Sequence, residues 1–349
     1  MPTTSKDVVT LNVDGTVFKF WETISFKRSL DTVDTLSFTT PFEYENKAFR
    51  DTFEPLSFKP LEVLVDDVLL FKGTMLKVAP QASSERKTAT INGYALPGVL
   101  SDCTVAPDLF PLEFNNMDLM GITDTLISPF NLVSEFQSST GAAFKRVAIK
   151  PTEKIMPFLV KLAQQRNFII SNTTDGALLF WNIITPGAPV ARLKQGESPL
   201  ISARDNTNPQ EYYASITGFK PVKVGSSGGS QYTLENTFLQ NVVRPFNFEV
   251  NDARGPDAKI ATEAKMGRMF GNAINYSISV STWRDPSGNL WEPNTTLKLT
   301  APEALVYNET EFLIKSVSFS RTPETKIANM ELVLTGSYTN EIPEVLPWA

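Results

Sequence analysis

Three pairs of carboxylates stand close together in this sequence: Glu43 with Glu45, Asp66 with Asp67, and Glu309 with Glu311. Two carboxyl groups can share general-acid and nucleophile or base duties at a glycosidic bond without any other residue type, so composition leaves a glycosidase or muramidase open. The acid of such a pair needs apolar burial to raise its pKa, whereas each of these pairs falls in an expected turn or excursion where carboxylates stay solvated. Other hydrolytic machinery is excluded more firmly. The chain has no histidine and a single cysteine, Cys103. That removes Ser-His-Asp and Cys-His nucleophiles, histidine bases, HExxH and Cys-rich zinc sites, and intramolecular disulfides. Gly225-Ser226-Ser227-Gly228-Gly229 has the spacing of a nucleophile elbow, but without a strand-turn-helix context or a histidine it reads as a flexible loop. There is no P-loop, dinucleotide fingerprint or Asp-rich calcium loop, and no cofactor or metal is expected.

The rest of the composition describes a folded, mildly acidic protein. Of 349 residues, 42% are hydrophobic and 11% aromatic, and 32 Lys+Arg against 38 Asp+Glu leave a net charge of −6. No run of Lys or Arg offers a basic face to phosphates, so nucleic acid could pass nearby without being held. Neither the first seven residues nor apolar stretches such as 178–181 approach the length of a signal core or a membrane span, so the chain is expected to be soluble with no membrane insertion by itself. The aromatics carry more information. There are 24 Phe and five Trp, more than a thin barrel interior needs. Trp283 and Trp291 flank a turn at 284–289. They read as anchors of a subunit or partner interface together with Arg284 and Arg244, as caps on barrel ends within one subunit, or as platforms for sugar rings.

These residues must be positioned mainly by strands. Alternation at Val9, Leu11 and Val13, the Asp14-Gly15 turn and the return through Val17, Phe18 and Phe20 give a hairpin. Further strands are expected at 35–40, 61–65, 68–71, 75–78 and 87–94, with a long excursion between Pro41 and Pro60; this spacing favours a closed or nearly closed antiparallel barrel. The period then changes. Leu119, Ile122 and Leu126 mark a helix that stops at Ser128-Pro129, and Ile155, Phe158, Leu159, Leu162 and Ala163 mark a stronger one, capped by Thr152 and ending at Asn167. A hairpin at 168–171 and 177–182 follows. Strands return at 201–203, 213–218, 247–250, 276–283, 295–300, 312–320 and 328–335, interrupted by a helix at about 257–270 and an excursion from about 226 to 243. The fold class is therefore mainly β with an α+β insert: two related antiparallel β-barrel domains, 1–98 and 191–349, the second with its excursion and helix at about 226–272, around a small α/β domain at 99–190. An internal echo supports the relation. Leu70-Phe71-Lys72-Gly73 followed by Lys87 to Ile91 resembles Leu313-Ile314-Lys315-Ser316 followed by Lys326 to Met330.

Particular stretches resemble a known family. Gly196-Glu197-Ser198-Pro199-Leu200, Tyr213-Ala214-Ser215-Ile216-Thr217-Gly218 and Val243-Arg244-Pro245 follow the pattern of the baseplate hub proteins of contractile-tailed bacteriophages, Mu-like type. So, almost continuously, do 276–284, 288–294 and 311–317, and the helix at 152–167 with Asp175-Gly176-Ala177-Leu178 matches that family's middle domain. The resemblance implies tail-tube-like barrels and a virion protein of the phage tail baseplate, assembled in the host bacterial cytoplasm. It implies a homotrimer in which two barrels per chain make a ring of six similar units. Such a ring would join the hexameric tail tube to the trimeric central spike protein and let DNA pass without specific binding. The tail tube protein, tape measure and baseplate wedge proteins are the further partners implied. The competing readings are a carbohydrate- or receptor-binding tail module and a carboxylate-based cell-wall glycosidase.

Overall fold

The computed structural model describes residues 7–83, 87–109, 112–182, 187–219, 231–250, 257–338, 343 and 345–349; the expected Gly/Ser loop at 225–230 lies outside them. The N-terminal part is built from β1 (Val9–Val13), β2 (Thr16–Phe18), β3 (Thr23–Ser29), β4 (Thr35–Pro41), the short helix α1 (Lys47–Thr52), β5 (Pro60–Val65), β6 (Val68–Ala82) and β7 (Lys87–Ala95). Two of its turns have left-handed backbone at both central residues. Asp14 and Gly15 turn β1 into β2 with φ of 53° and 74°, and Asp66 and Asp67 turn β5 into β6 with φ of 50° and 65°. Asp tolerates this region because its short side chain can bond locally, and such turns match the twist of the strands they join.

The middle of the chain contains β8 (Glu113–Met117), α2 (Leu119–Ile127), β9 (Ser134–Phe136), β10 (Phe144–Ala148), α3 (Ile155–Gln165), β11 (Ile169–Asn172) and β12 (Leu178–Trp181). Its helices bury their own apolar cluster, running from Leu100 to Phe180. Helix α3 begins at Ile155 after Lys154, with no side-chain cap, so Thr152 does not cap it. Pro157 falls in its first turn, where a missing N–H removes no intrahelical bond, and Asn167 ends the segment at φ 58°.

The last part comprises β13 (Ala191–Lys194), β14 (Leu200–Asp205), β15 (Ser215–Phe219), β16 (Gln231–Glu235), β17 (Pro245–Glu249), α4 (Asp257–Ala273), β18 (Asn275–Val280), β19 (Thr296–Ala301), β20 (Val306–Arg321) and β21 (Lys326–Leu334). Strands β15, β16 and β17 form a small sheet against which α4 packs. All the other strands of this part join those of the N-terminal part in one sheet of 13 strands, in the order β14-β18-β21-β20-β3-β4-β7-β6-β5-β1-β2, with β13 and β19 branching from β20. The joint is the β20–β3 ladder, from Ser316 opposite Ser29 to Arg321 opposite Ile24. One apolar core runs beneath both parts, from Leu11 to Leu334.

Among the described residues of this sheet, six strands of each part correspond, and β2 alone has no counterpart. The neighbours β3-β4-β7-β6-β5-β1 have counterparts in β14-β18-β21-β20-β19-β13, in the same sequence order. The β6–β7 ladder ends at Ala82 opposite Lys87 with a register shift between Met75 and Lys77. The β20–β21 ladder ends at Arg321 opposite Lys326 with its shift between Ile314 and Ser316. Both features recur at one offset of 239 positions, that from Lys87 to Lys326. The counterparts β1 and β13 differ, since β1 runs antiparallel to β5 whereas β13 runs parallel to β19.

Candidate functional site

None of the carboxylate pairs is set up as an acid–base couple. Glu43 and Glu45 are exposed. Asp66 accepts a hydrogen bond from the Val8 N–H at 2.9 Å and pairs with Arg284 at 2.7 Å. Glu309 lies 3.2 Å from Lys298 and 2.9 Å from Arg192, and a hydrogen bond from Lys298 holds its carboxyl below the usual range, with both cations adding to the effect. A general acid needs the opposite shift. Among the described residues no group of His, Cys, Asp and Glu side chains could hold a metal ion, and no helix is long and apolar enough to cross a membrane.

The four residues singled out in the sequence are not brought together as one contact patch. Trp283 and Trp291 are fully buried, at 0% and 1% exposure. Their indole N–H groups donate to the Ile327 and Thr282 carbonyls, each at 3.0 Å. This corrects the expectation of interface anchors: both rings fill the chain's own core, and neither offers a face to a partner or a sugar. Arg284 is a tie within the chain. Its Nε donates to Asp7 Oδ1 and its Nη2 to Asp66 Oδ2, both at 2.7 Å, and Nη1 donates to the Gly288 carbonyl at 2.9 Å. Arg244 alone is exposed, although its guanidinium caps the Tyr212 carbonyl at 3.0 Å and the Gln210 carbonyl at 2.8 Å. Beside it Val243 is 93% exposed. The excursion between β4 and β5 also presents apolar side chains, Leu56 at 81% and Phe58 at 58% exposure, while its Phe49 and Phe53 pack inward.

The surface with the most uniform chemistry is the outward face of the long sheet. Inward residues such as Ile24, Phe38, Ile91, Ile278 and Phe319 are buried, and the alternating outward ones are mostly hydroxyls and amides. These bond across the strands: Ser25 Oγ lies 3.2 Å from both Ser318 and Ser320 Oγ, Thr39 and Thr90 hydroxyls are 3.3 Å apart, and Ser279 donates to Asn329 at 2.6 Å. One polar face over one buried face is the usual division of an antiparallel sheet. Lys27, opposite Ser318 in the joining ladder, adds an exposed positive charge among these hydroxyls.

The middle segment is fastened to this sheet by a buried carboxylate. Asp34 Oδ1 accepts the Ser29 N–H at 3.0 Å, and Asn172 donates to Oδ2 at 3.1 Å while accepting the Asp34 N–H at 2.7 Å. Burial pushes the carboxyl up to about 6, against the opposing pull of Arg28, the Ser29 N–H and Asn172. The folded chain therefore holds this proton more tightly than the unfolded chain does. Its stabilising effect is complete below about pH 4 and is lost as pH rises through about 6, at a cost of about 3 kcal/mol by pH 7.5. Urea midpoints of the wild type and Asp34→Asn should diverge by that amount in the variant's favour between pH 4 and 7.5; a constant difference would remove the ionisation from the account.

Fold and sequence together first give a likeness to a class, phage tail and baseplate hub proteins. Residues 97–182 match the family model of the second domain of gp44-like baseplate hub proteins. The particular likeness is to the baseplate hub protein gp44 of Escherichia phage Mu, 20% identical over 331 residues that cover 89% of this chain and 83% of that one. Among solved structures the chain is similar to the 43 kDa tail protein of prophage MuSo2 from Shewanella oneidensis, with TM-score 0.78 and 21% identity over 94% of this chain and 98% of the other. A tail protein from Neisseria meningitidis MC58 gives TM-score 0.78 and 17% identity over 95% and 98%. These overlaps take in the N-terminal strands as well.

Proposed function

We propose that the chain is the structural hub of a contractile phage tail baseplate. Three copies form a pseudo-sixfold ring that joins the hexameric tail tube to the trimeric central spike and lets DNA pass. The observation that supports this most directly is the doubled strand order on one sheet. A chain carrying two like units can present six similar surfaces from three subunits, and so meet a sixfold partner on one side and a threefold partner on the other. The domain division at 98 and 190 belongs to this reading, with the first and last parts as the two like units. The hydroxyl-rich face of the sheet lines the passage, and the arms with Leu56 and Phe58 and with Val243 and Arg244 reach neighbouring subunits, wedge or tape measure proteins. No muralytic activity is part of this role, and assembly takes place in the host cytoplasm.

Light scattering on the purified chain, with and without the spike protein encoded beside it, tests the reading. A mass of three subunits, alone or on adding spike, is the expected result. A monomer that ignores the spike at every concentration would overturn it.

A further inference from the structure

Among the described residues, the repeat inside the chain leaves two of its strand edges unpaired. Offsetting β20 by 239 positions carries Ser316–Arg321, the stretch that pairs with β3, onto residues 77–82 of β6. Among the described residues those six pair with β7 on one side and with no strand on the other. The counterpart of β3 is β14, which ends the sheet and pairs only with β18. Where the junction exists within the chain, Phe26, Val317 and Phe319 are buried; at the open edges Lys77, Pro80, Gln81 and Arg204 are exposed. One chain thus carries a completed joint and both halves of a second.

We propose that β14 of one copy pairs antiparallel with residues 77–82 of β6 in the next copy of this chain, in the register of the internal β20–β3 ladder. This rests on the trimeric ring proposed above and names its subunit interface. Following the ladders outward, Ser25 pairs with Ser37 as Arg204 pairs with Ser277, and Ser37 and Ser277 occupy equivalent positions opposite Asn92 and Glu331. Transferring Ser320 opposite Ser25 to the new joint places Gln81 opposite Arg204, and Arg321 opposite Ile24 places Ala82 opposite Ala203. The partner is a second copy because the edge offered is the repeat of one that this chain already binds. The groove beside the β6 edge, lined by Phe42, Phe49, Phe53, Val78 and Pro80, supplies apolar surface for the incoming strand to cover.

Pro80 moderates the joint. Phe42 donates its N–H to the Lys87 carbonyl, so the backbone of Lys87 faces β4, that of Thr88 faces β6, and Pro80, opposite Ala89, faces the open side. The ladder is one donor short there, a common protection of edges against indiscriminate pairing. The same alternation makes Gln81 opposite Arg204 a non-hydrogen-bonded pair, the closer of the two kinds and within reach of a disulfide.

The test is oxidative cross-linking of full-length Gln81→Cys/Arg204→Cys in a Cys103→Ser background. Ser25→Cys/Ser320→Cys serves as the intrachain control and Lys77→Cys/Arg204→Cys as the shifted register. Cross-linked species of two and three chains that stop at three, with little from the shifted pair, are expected. A trimer by light scattering with no Gln81–Arg204 cross-link would overturn the edge assignment and leave the hub reading standing. Cross-links running on past three would mean an open filament and overturn the closed ring, and a chain that is monomeric at every concentration without cross-links would overturn both.

Discussion

Replacing Trp283 with alanine is expected to cost about 3–5 kcal/mol, the range for removing a large aromatic side chain from a packed core. Three features place it high in that range. The indole is completely buried; its N–H satisfies the Ile327 carbonyl at 3.0 Å; and it stands edge-on to both Phe26, at 5.7 Å and 86°, and Phe319, at 5.5 Å and 74°. Phe26 and Phe319 are themselves stacked at 4.9 Å and lie opposite each other in the ladder that joins the two halves of the sheet. Truncation therefore opens a cavity at the joint itself. Trp283→Phe would keep much of the packing and lose the hydrogen bond, costing about 1–3 kcal/mol through the unsatisfied carbonyl. Urea denaturation of the two variants separates packing from hydrogen bonding. Equal losses for both would show that the hydrogen bond rather than the ring carries the effect. A loss under 1 kcal/mol for the alanine variant would show that the joint does not depend on this ring.

The local pattern of the sequence carried most of the strands because alternation is a property of neighbours. Val9–Val13 and Thr16–Phe18, Thr35–Pro41, Pro60–Val65 and Lys87–Ala95 all lie where the apolar period of two put them. Thr23–Ser29 is not legible as a strand although Ile24 and Phe26 alternate with polar residues, because Lys27 and Arg28 follow directly and give its end the look of a loop. Strand β6 was read as two pieces because Gly73-Thr74 resembles a turn; instead the strand continues and absorbs the irregularity in a register shift just beyond, between Met75 and Lys77. Helix α1 has six residues, too few to display a period, and its one local signal is Asn46, whose side chain accepts the Phe49 N–H.

Relations between distant segments were legible only in outline. The echo between Leu70-Phe71-Lys72-Gly73 and Leu313-Ile314-Lys315-Ser316 has an offset of 243, whereas the ladders equate the strands at 239. The first half of the echo is thus four positions out of structural register, while its second half, Lys87 to Ile91 with Lys326 to Met330, is in register at 239. The roles of the tryptophans failed for a related reason. Trp283 looks like an anchor beside an exposed turn, but its burial is decided by Phe26, which lies far away in the chain, and no window around residue 283 contains that partner. The same holds for Arg284, whose carboxylates are 277 and 218 positions distant.

Asp7→Ala is expected to be the most damaging charge removal in the cluster that Asp7 forms with Arg284 and Lys326. The Asp7 carboxylate is 3% exposed. It accepts from Arg284 Nε at 2.7 Å on one oxygen and pairs with Lys326 on the other, while the Asp7 carbonyl takes a 2.6 Å bond from Arg321. Removing one member of a buried pair costs about 3–5 kcal/mol, mostly because the partners stay behind with their charge uncompensated. Arg284 and Lys326 are 24% and 35% exposed on their side chains, so water recovers part of that loss and about 3 kcal/mol is the better expectation. Arg284→Ala leaves Asp7 with Lys326 and should cost less. The double variant should then be less damaging than the two single losses added together, because each single change also strands the other's charge. Additive thermal or urea effects would mean that the two groups act independently, and that the tie between the first strand and the β20–β21 turn is made by the Arg321 contact to the backbone alone. Non-additive effects would identify the cluster as the clamp that holds β1 and the β5–β6 turn against the second half of the sheet, and so fixes the relative setting of the two repeated units.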